Sequence, residues 1–571
     1  MRTNRKMEEK KMSMNKNIAR LAVTAGLTAA LSFGGVMAPV TMAFADGTTT
    51  SDNSITISQA DKNGTTKFKA YQIFKAKVVD QIGSKVASDI EWPDDKTGKA
   101  VIGVLKQVAG SGIDDSSTAE DVANYLEENV EDTTKETRVK NSDLLYKIAE
   151  AVAKSSTQTG NSFEAGTAFT APNNGYYLFV TDALDASKPN TGTSPIFALV
   201  GGKSVTVTEK TSIPTVTKKV KDDNPNSNWA DKADSQMGQN VNYQLTGTVA
   251  DNVASFSAYK YEFHDELSAG LTVDENSIKV YAGTDRDTAK EITAENNYTA
   301  DVTANETTGK SSLTVKFTDL KTVVTDLSAQ TRIYVEYAAR LDPEKGANVV
   351  VGGNGNENTV KLVYSNNPMA EGTGTSVPDT VRDYTYALKL VKVDSAETTK
   401  KLEGVKFTIQ ATTPDDTSSK DKYVLEKGNL GDTAYEFTTN GEGEISVKGL
   451  DAGTYTVHEV EGSNPGYNTL KDFTFTIKAE GLDKLEGETL TGNADQNTLK
   501  VTATSDNSTM VTPSADGGTV TLTVKNKKGS GLPLTGLNGV TFTWIAGGAV
   551  LVIGVAHLIR SRKQAEESEQ E

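Results

Sequence analysis

The sequence has no cysteine and only three histidines, His264, His458 and His557, in 571 residues. A chain without cysteine is not held together by disulfide bonds. Three scattered histidines, one of them in an apolar run, give no basis for a His-based hydrolase or a zinc cluster. We therefore expect no enzyme, no cofactor and no metal site.

Positive charge is also scarce, because the formal net charge of the chain is -17. Such an acidic balance argues against nucleic acid or anionic lipid as a partner and favours a soluble surface protein. Hydrophobic residues make up 36% of the chain, and threonine, valine, glycine and asparagine are abundant. This composition is typical of β-rich domains.

The N-terminus has the three parts of a secretory signal peptide. Residues 1–20 carry seven Lys or Arg against two Glu, and residues 21–40 are apolar and rich in small side chains. Ala43-Phe44-Ala45 follows as an A-x-A cleavage site. We expect residues 1–45 to be a signal peptide that is cleaved after Ala45, with either Met1 or Met14 as the start.

The C-terminus combines a pentapeptide, an apolar run and a basic tail. The apolar run, residues 540–558, is long enough to cross a membrane as a helix, and basic residues follow it. A plain membrane anchor would need no pentapeptide. The order resembles the cell-wall sorting signal of Gram-positive surface proteins, in which the transpeptidase sortase cuts between Thr and Gly. The pentapeptide consists of Leu532, Pro533, Leu534, Thr535 and Gly536.

The exported part is long enough for about three domains at about 150 residues each. Alternating strand patterns predict a mainly β fold, and helices are expected in the first domain near Thr118, an N-cap, and over residues 144–153. The predicted boundaries are 46–210 for the first domain, 211–368 for the second, 369–380 for a linker, 381–527 for the third domain and 528–571 for the sorting signal.

In the second domain, strand alternation places Lys218 on the same face as two valines. Burial of that face would favour the neutral, nucleophilic amine. Asp265 follows an alternating strand, and Asn366 shares a face with two apolar residues at the end of the strand that closes the domain. Lys218, Asp265 and Asn366 therefore predict an intramolecular Lys–Asn isopeptide bond, with Asp265 as a buried acid that polarises the carboxamide.

The third domain repeats this plan with Lys392 on its first strand, Glu459 in the middle and Asn526 on its last strand. Residues 450–467 resemble the E-box of Cna-B-type domains, in which the strand glutamate is the acid of isopeptide formation. The loop after the acid is longer here than in the E-box pattern. The resemblance implies a Lys392–Asn526 bond formed with Glu459 as the catalytic acid.

The strand Val205-Thr206-Val207-Thr208-Glu209 ends at Lys210, at the boundary of the first domain. It resembles the V-x-V-Y-P-K strand of sortase-assembled major pilins, with Thr208-Glu209 in place of Tyr-Pro. The resemblance implies that the Lys210 amine attacks the sortase-bound Thr535 of another subunit. The alternative is an ordinary surface lysine.

Together these segments resemble the shaft-forming major pilin of Gram-positive pili. The resemblance implies tandem immunoglobulin-like (Cna-type) β-sandwiches, secretion, and covalent attachment to the pilus and cell wall. It implies sortase, identical subunits, ancillary pilins and peptidoglycan as partners. Adhesion to a host glycan or to extracellular matrix would fit the class, but no residue identifies a receptor. The alternatives are a monomeric wall-anchored adhesin and an ancillary pilin.

Overall fold

The computed structural model describes residues 53–59, 66–81, 84–130, 139–209, 211–224, 227–414, 416–482 and 500–529. The predicted signal peptide with Ala45, the acceptor Lys210 and the sorting signal with Thr535 lie outside these residues. Among the helices that the structure describes, none is long and apolar enough to cross a membrane. The described residues form three successive β domains, which confirms the mainly β fold.

The first domain combines two small sheets with three helices. A three-stranded sheet has the order β5-β1-β8, and a second sheet has the order β3-β2-β6-β7 with β4 paired to β2. The elements are β1 (Ser54–Gln59), β2 (Lys67–Gln81), β3 (Ser84–Glu91), α1 (Asp95–Leu105), α2 (Ala119–Asn129), α3 (Leu144–Ser155), β4 (Phe163–Glu164), β5 (Ala168–Thr170), β6 (Gly175–Ala183), β7 (Ile196–Val200) and β8 (Val205–Glu209).

Both helices expected from the sequence are present. Thr118 accepts a hydrogen bond from the Asp121 backbone N–H, and the Asp121 side chain accepts one from the Thr118 backbone, which completes a capping box at the start of α2. The apolar faces of α1, α2 and α3 pack on one face of the second sheet, around buried residues such as Phe74 and Leu178. This expectation of a β domain with added helices is confirmed.

The second domain is a sandwich of two larger sheets around one core. One sheet has the order β10-β9-β12-β18-β14-β15, and the other has the order β11-β21-β19-β13-β17-β16, with β20 paired to β19. The elements are β9 (Val216–Lys221), β10 (Trp229–Ala230), β11 (Lys232–Asp234), β12 (Asn240–Thr248), β13 (Tyr261–Leu267), β14 (Leu271–Gly283), β15 (Lys290–Ile292), β16 (Tyr298–Ala304), β17 (Ser311–Phe317), α4 (Leu320–Val323), β18 (Arg332–Leu341), β19 (Asn356–Ser365), β20 (Thr373–Thr375) and β21 (Asp379–Tyr384).

The segment that was expected to be a linker, residues 369–380, is part of this sandwich. β20 pairs with β19 in antiparallel fashion, and β21 pairs with both β19 and β11. The expected linker was wrong because β20 has only three residues, and because β21, which lies between β11 and β19, is buried throughout and shows no alternation of apolar and polar residues. The second domain therefore extends to Tyr384.

The third domain is again a two-sheet sandwich with its own core. One sheet has the order β27-β22-β32-β31, and the other has the order β25-β24-β23-β28-β29-β30, with β26 paired to β23. The elements are β22 (Tyr386–Asp394), β23 (Lys406–Pro414), β24 (Tyr423–Val424), β25 (Leu430–Gly431), β26 (Phe437–Thr438), β27 (Glu444–Leu450), β28 (Gly453–Glu459), β29 (Phe473–Glu480), β30 (Lys500–Ser505), β31 (Val511–Asp516) and β32 (Thr519–Asn526).

Candidate functional site

The first and last strands of the third domain lie side by side. β22 and β32 pair in parallel, with Lys392 opposite Val524 and Asp394 opposite Asn526. The inward alternation of each strand turns Lys392 and Asn526 toward the core, where both side chains are almost fully buried. Glu459, at the end of β28 in the facing sheet, is 1% exposed and reaches the same place.

The three side chains form a closed hydrogen-bonded triangle. Lys392 Nζ donates to Glu459 Oε2 at 2.8 Å and to Asn526 Oδ1 at 2.6 Å. Asn526 Nδ2 donates to Glu459 Oε1 at 2.7 Å. One carboxyl group therefore contacts both the amine and the amide nitrogen of the two residues that would be joined.

Burial changes the protonation of the lysine. Desolvation lowers the pKa of Lys392 to about 8, although the neighbouring Glu459 opposes the shift. The aromatic ring of Phe407, whose centroid lies 5.1 Å from Nζ, belongs to the apolar surroundings that remove water. A neutral amine is thus accessible near neutral pH, as nucleophilic attack requires.

This arrangement can carry out an amide exchange. The Lys392 nitrogen forms a bond to the Asn526 side-chain carbon, the carbon–nitrogen bond of the carboxamide breaks, and ammonia leaves. One proton must move from Lys392 Nζ to the leaving nitrogen. Glu459 contacts both atoms, so it can accept the proton at one oxygen and supply a proton from the other.

The second domain holds an equally buried lysine in a different framework. Lys218 lies on β9 and is fully buried, and Asp265 on β13 is 2% exposed in the facing sheet. Lys218 Nζ lies 2.5 Å from both Asp265 oxygens, and desolvation lowers the pKa of Lys218 to about 8. The structure therefore brings the predicted lysine and acid together.

The asparagine beside this pair is Asn358, which the sequence did not single out. It is fully buried on β19, where it pairs with Leu267, two residues along β13 from Asp265. Tyr337 on β18 connects it to the pair, since Asn358 Nδ2 donates to Tyr337 Oη at 2.7 Å. Among the described residues Asn358 Oδ1 has no hydrogen-bond partner.

The prediction of Asn366 was wrong. Asn366 lies just beyond the end of β19, and its Nδ2 donates to Asn190 Oδ1 of the first domain at 2.9 Å. It shares the inward face with Asn358 but is eight residues further along, which corresponds to about 27 Å of strand. Asn366 was chosen because the corresponding asparagine of the third domain, Asn526, lies at the end of its strand. In the second domain the asparagine beside the lysine and the acid, Asn358, lies near the start of its strand instead. The signal in the sequence was the alternation itself, which continues from Val360, Leu362 and Tyr364 back to the polar Asn358 and Asn356 on the same inward row.

The first domain differs from the other two. Within its described residues no lysine is buried, and the buried polar side chains there are mainly hydroxyl and amide groups. Its last strand, β8, pairs in parallel with β1 and leads to Lys210. Glu209, at the end of β8, is buried, and desolvation raises its pKa to about 7.

Comparisons with known proteins find one domain-family model that matches part of the chain and several solved structures that are similar to it. Residues 386–491 match the domain family described as SpaA, prealbumin-like fold domain, which covers the E-box strand. The structure is similar to the T6 backbone pilin of serotype M6 Streptococcus pyogenes, with a TM-score of 0.49, 17% identity, and coverage of 84% of this chain and 100% of that one. No curated protein sequence matches the chain.

Two Corynebacterium diphtheriae major pilins are also similar in structure. SpaD gives a TM-score of 0.43 and 15% identity over 84% of this chain and 98% of its own. SpaA gives a TM-score of 0.39 and 12% identity over 83% of this chain and 100% of its own. The SpaA structure is described as pointing to a modular pilus assembly with stabilising isopeptide bonds. The family match falls on the domain whose residues 450–467 resemble the E-box of Cna-B-type domains.

Proposed function

We propose that this chain is the structural shaft subunit of a cell-surface pilus. Sortase would join Thr535 of one subunit to Lys210 of the next, and the finished fibre would be attached to peptidoglycan and carry ancillary pilins. Two intramolecular isopeptide bonds would stabilise each subunit. These are Lys392–Asn526 with Glu459, and Lys218–Asn358 with Asp265.

The observation that carries the proposal is where the buried lysines lie. In a polymer joined from Lys210 to Thr535, tension runs through the second and third domains and leaves the first domain outside the load path. Lys218 and Lys392 lie in the two loaded domains, whereas the described part of the first domain has no buried lysine. Covalent ties are thus predicted in the domains that tension would otherwise pull apart.

The geometry of the third domain fits this mechanical role directly. Force enters at β22 and leaves through β32, and these strands are parallel neighbours. Pulling their ends apart would shear the hydrogen bonds between them. A Lys392–Asn526 bond would connect the two strands beside the exit point, so that the load would pass through it instead of through the sandwich.

The test is the cross-link between subunits. Protein released from the cell wall is digested and searched by mass spectrometry for a branched peptide that joins the Thr535 carbonyl to the Lys210 side chain. Lys210→Arg should abolish the ladder of polymers on a denaturing gel. Lys203→Arg, which changes an exposed lysine just before β8, is the matched control and should leave the ladder intact.

Two results would contradict the proposal. Thr535 attached only to peptidoglycan would define a monomeric wall-anchored protein. A branch at another lysine, with Lys210→Arg still polymerising, would keep the shaft subunit but remove Lys210 as its acceptor.

A further inference from the structure

The two lysine sites differ in how the acid reaches the amide. In the third domain the Glu459 carboxyl group contacts Lys392 with one oxygen and the Asn526 amide nitrogen with the other. In the second domain both oxygens of Asp265 lie 2.5 Å from Lys218 Nζ, and the side chain is one methylene shorter. The contact to the amide nitrogen is made by a different group.

That group is the hydroxyl of Tyr337. Its oxygen donates to Asp265 Oδ2 at 2.6 Å and accepts from Asn358 Nδ2 at 2.7 Å. It also lies 3.0 Å from Lys218 Nζ. Tyr337 therefore touches the acid and both nitrogens that take part in the exchange.

Tyr337 is held firmly in this position. It is 2% exposed, and its ring stacks on that of Tyr243, with centroids 5.3 Å apart and planes at 15°. Burial raises the pKa of Tyr337 well above its usual value, so the hydroxyl keeps its proton at neutral pH. Because the phenolate form of Tyr337 is disfavoured, the hydroxyl can donate its proton to the amide nitrogen only if a neighbouring acid replaces that proton.

We propose that Tyr337 is a catalytic residue of the second domain, a proton relay between Asp265 and the leaving nitrogen of Asn358. The inference rests on the Lys218–Asn358 bond proposed above. As Lys218 Nζ bonds to the Asn358 side-chain carbon, Asp265 takes one proton from Nζ. Tyr337 gives its hydroxyl proton to Nδ2 and regains one from Asp265. The carbon–nitrogen bond of the carboxamide then breaks and ammonia leaves with three hydrogens, so that Asp265 and Tyr337 end as they began.

Asp265 and Tyr337 together connect the lysine nitrogen to the amide nitrogen, whereas Glu459 alone connects them in the third domain. The Glu459 side chain is long enough to contact both nitrogens, and the shorter Asp265 reaches the amide nitrogen only through the Tyr337 hydroxyl. The relay is therefore specific to the second domain, and the third domain in the same molecule serves as an internal reference.

The experiment follows bond formation in the full chain after cell-free synthesis. Samples taken over time are digested, and mass spectrometry measures the fraction of Lys218–Asn358 and Lys392–Asn526 peptides that have joined with loss of ammonia. Tyr337→Phe should slow the second-domain bond roughly 10²-fold, the lower end of what acid–base catalysis supplies, and leave the third-domain bond unchanged.

Tyr261→Phe is the matched control. Tyr261 is also fully buried in the second domain, and its hydroxyl donates to the Thr248 carbonyl at 2.7 Å, away from the reacting atoms. The same substitution there removes one buried hydrogen bond and should leave the rate of the second-domain bond at the wild-type value. Resistance of the second domain to protease is measured in every sample.

Slow but complete bond formation in a protease-resistant Tyr337→Phe domain is the expected result. Formation at the wild-type rate would overturn the relay while leaving the proposed bond intact. If Tyr337→Phe never forms the bond and its second domain is digested by protease, then Tyr337 is needed for the domain to fold. That result would also overturn the relay. If the wild-type chain itself lacks the Lys218–Asn358 bond, the second-domain part of the proposed function fails together with the relay.

Discussion

The second and third domains bury a lysine beside an acid and an asparagine, but they place the three groups on different strands. In the third domain Lys392 and Asn526 lie on neighbouring strands of one sheet, and the acid comes from the facing sheet. In the second domain Lys218 lies in one sheet, whereas Asp265 and Asn358 lie in the other. A bond in the third domain would tie strand to strand, and one in the second would tie sheet to sheet.

The proposed chemistry would therefore depend on the local surroundings of the lysine more than on a particular strand arrangement. Both lysines are fully buried, and desolvation lowers the pKa of each to about 8. In each domain the proposed reaction needs a path for one proton from the lysine amine to the amide nitrogen of the asparagine. Glu459 alone contacts both nitrogens in the third domain, whereas Asp265 and Tyr337 together contact them in the second.

The largest effect should come from breaking the third-domain triangle. Glu459→Gln removes the proton acceptor with little change in volume, so the Lys392–Asn526 bond should not form. The tie closes a loop between residues 134 positions apart, worth about 4–5 kcal/mol if it behaves like a disulfide. The melting temperature of this domain should fall by roughly 10 °C or more, measured by calorimetry.

His458→Ala is the control for this variant, because His458 is the exposed neighbour of Glu459 and pairs with Asp472 at the surface. It should change the melting temperature little and leave the ammonia loss complete. If Glu459→Gln still lost ammonia completely, the bond would form without the carboxyl group, and Glu459 would have no catalytic role.

An effect of similar size should distinguish the two asparagines of the second domain. Asn358→Ala should prevent the second-domain bond and lower the stability of that domain by about 4–5 kcal/mol, with the third-domain bond unaffected. Asn366→Ala should remove only a hydrogen bond to the first domain, worth about 1 kcal/mol, and leave the bond in place. Peptide mass spectrometry and thermal unfolding measure both effects, and the opposite pattern would restore Asn366 as the partner.

The two domains should show the same dependence of bond formation on pH. Each lysine must be neutral to attack, and because its pKa is lowered from 10.5 to about 8, the rate of bond formation should level off above about pH 8 in both domains. Below that point each pH unit should slow both bonds about tenfold. A rate that keeps rising to pH 10 in one domain would show that its lysine is exposed to water when it reacts.

Much of the third-domain site could be predicted from the sequence. Alternation along β22, β28 and β32 determines which side chains face inward, and Lys392, Glu459 and Asn526 are polar residues at inward positions near strand ends. Because the pattern is local to each strand, Lys392 and Asn526 could be placed without knowing how the strands pair, and the resemblance of residues 450–467 to the E-box identified Glu459 as the acid. The structure places all three within hydrogen-bonding distance.

The second domain shows the limit of the same reasoning. Alternation predicted Lys218 on the inner face, and the structure buries both Lys218 and Asp265. The closing strand was expected to begin at Thr359, so Asn358 was not considered and Asn366 was chosen. The sequence could not show which asparagine lies near Asp265, since the register between β13 and β19, which sets Asp265 opposite Val360 and Asn358 opposite Leu267, is a property of two distant segments.

The sequence by itself determined the β-rich domains, the buried lysines and acids and the face that each occupies, because these depend on periodicity along one strand. Only the tertiary structure decided which asparagine of the second domain lies beside the buried lysine and acid, where Tyr337 lies, and that β20 and β21 belong to the second sandwich. Each of these depends on contacts across a sheet or between sheets, and residues far apart in the chain meet there only after the sandwich has closed.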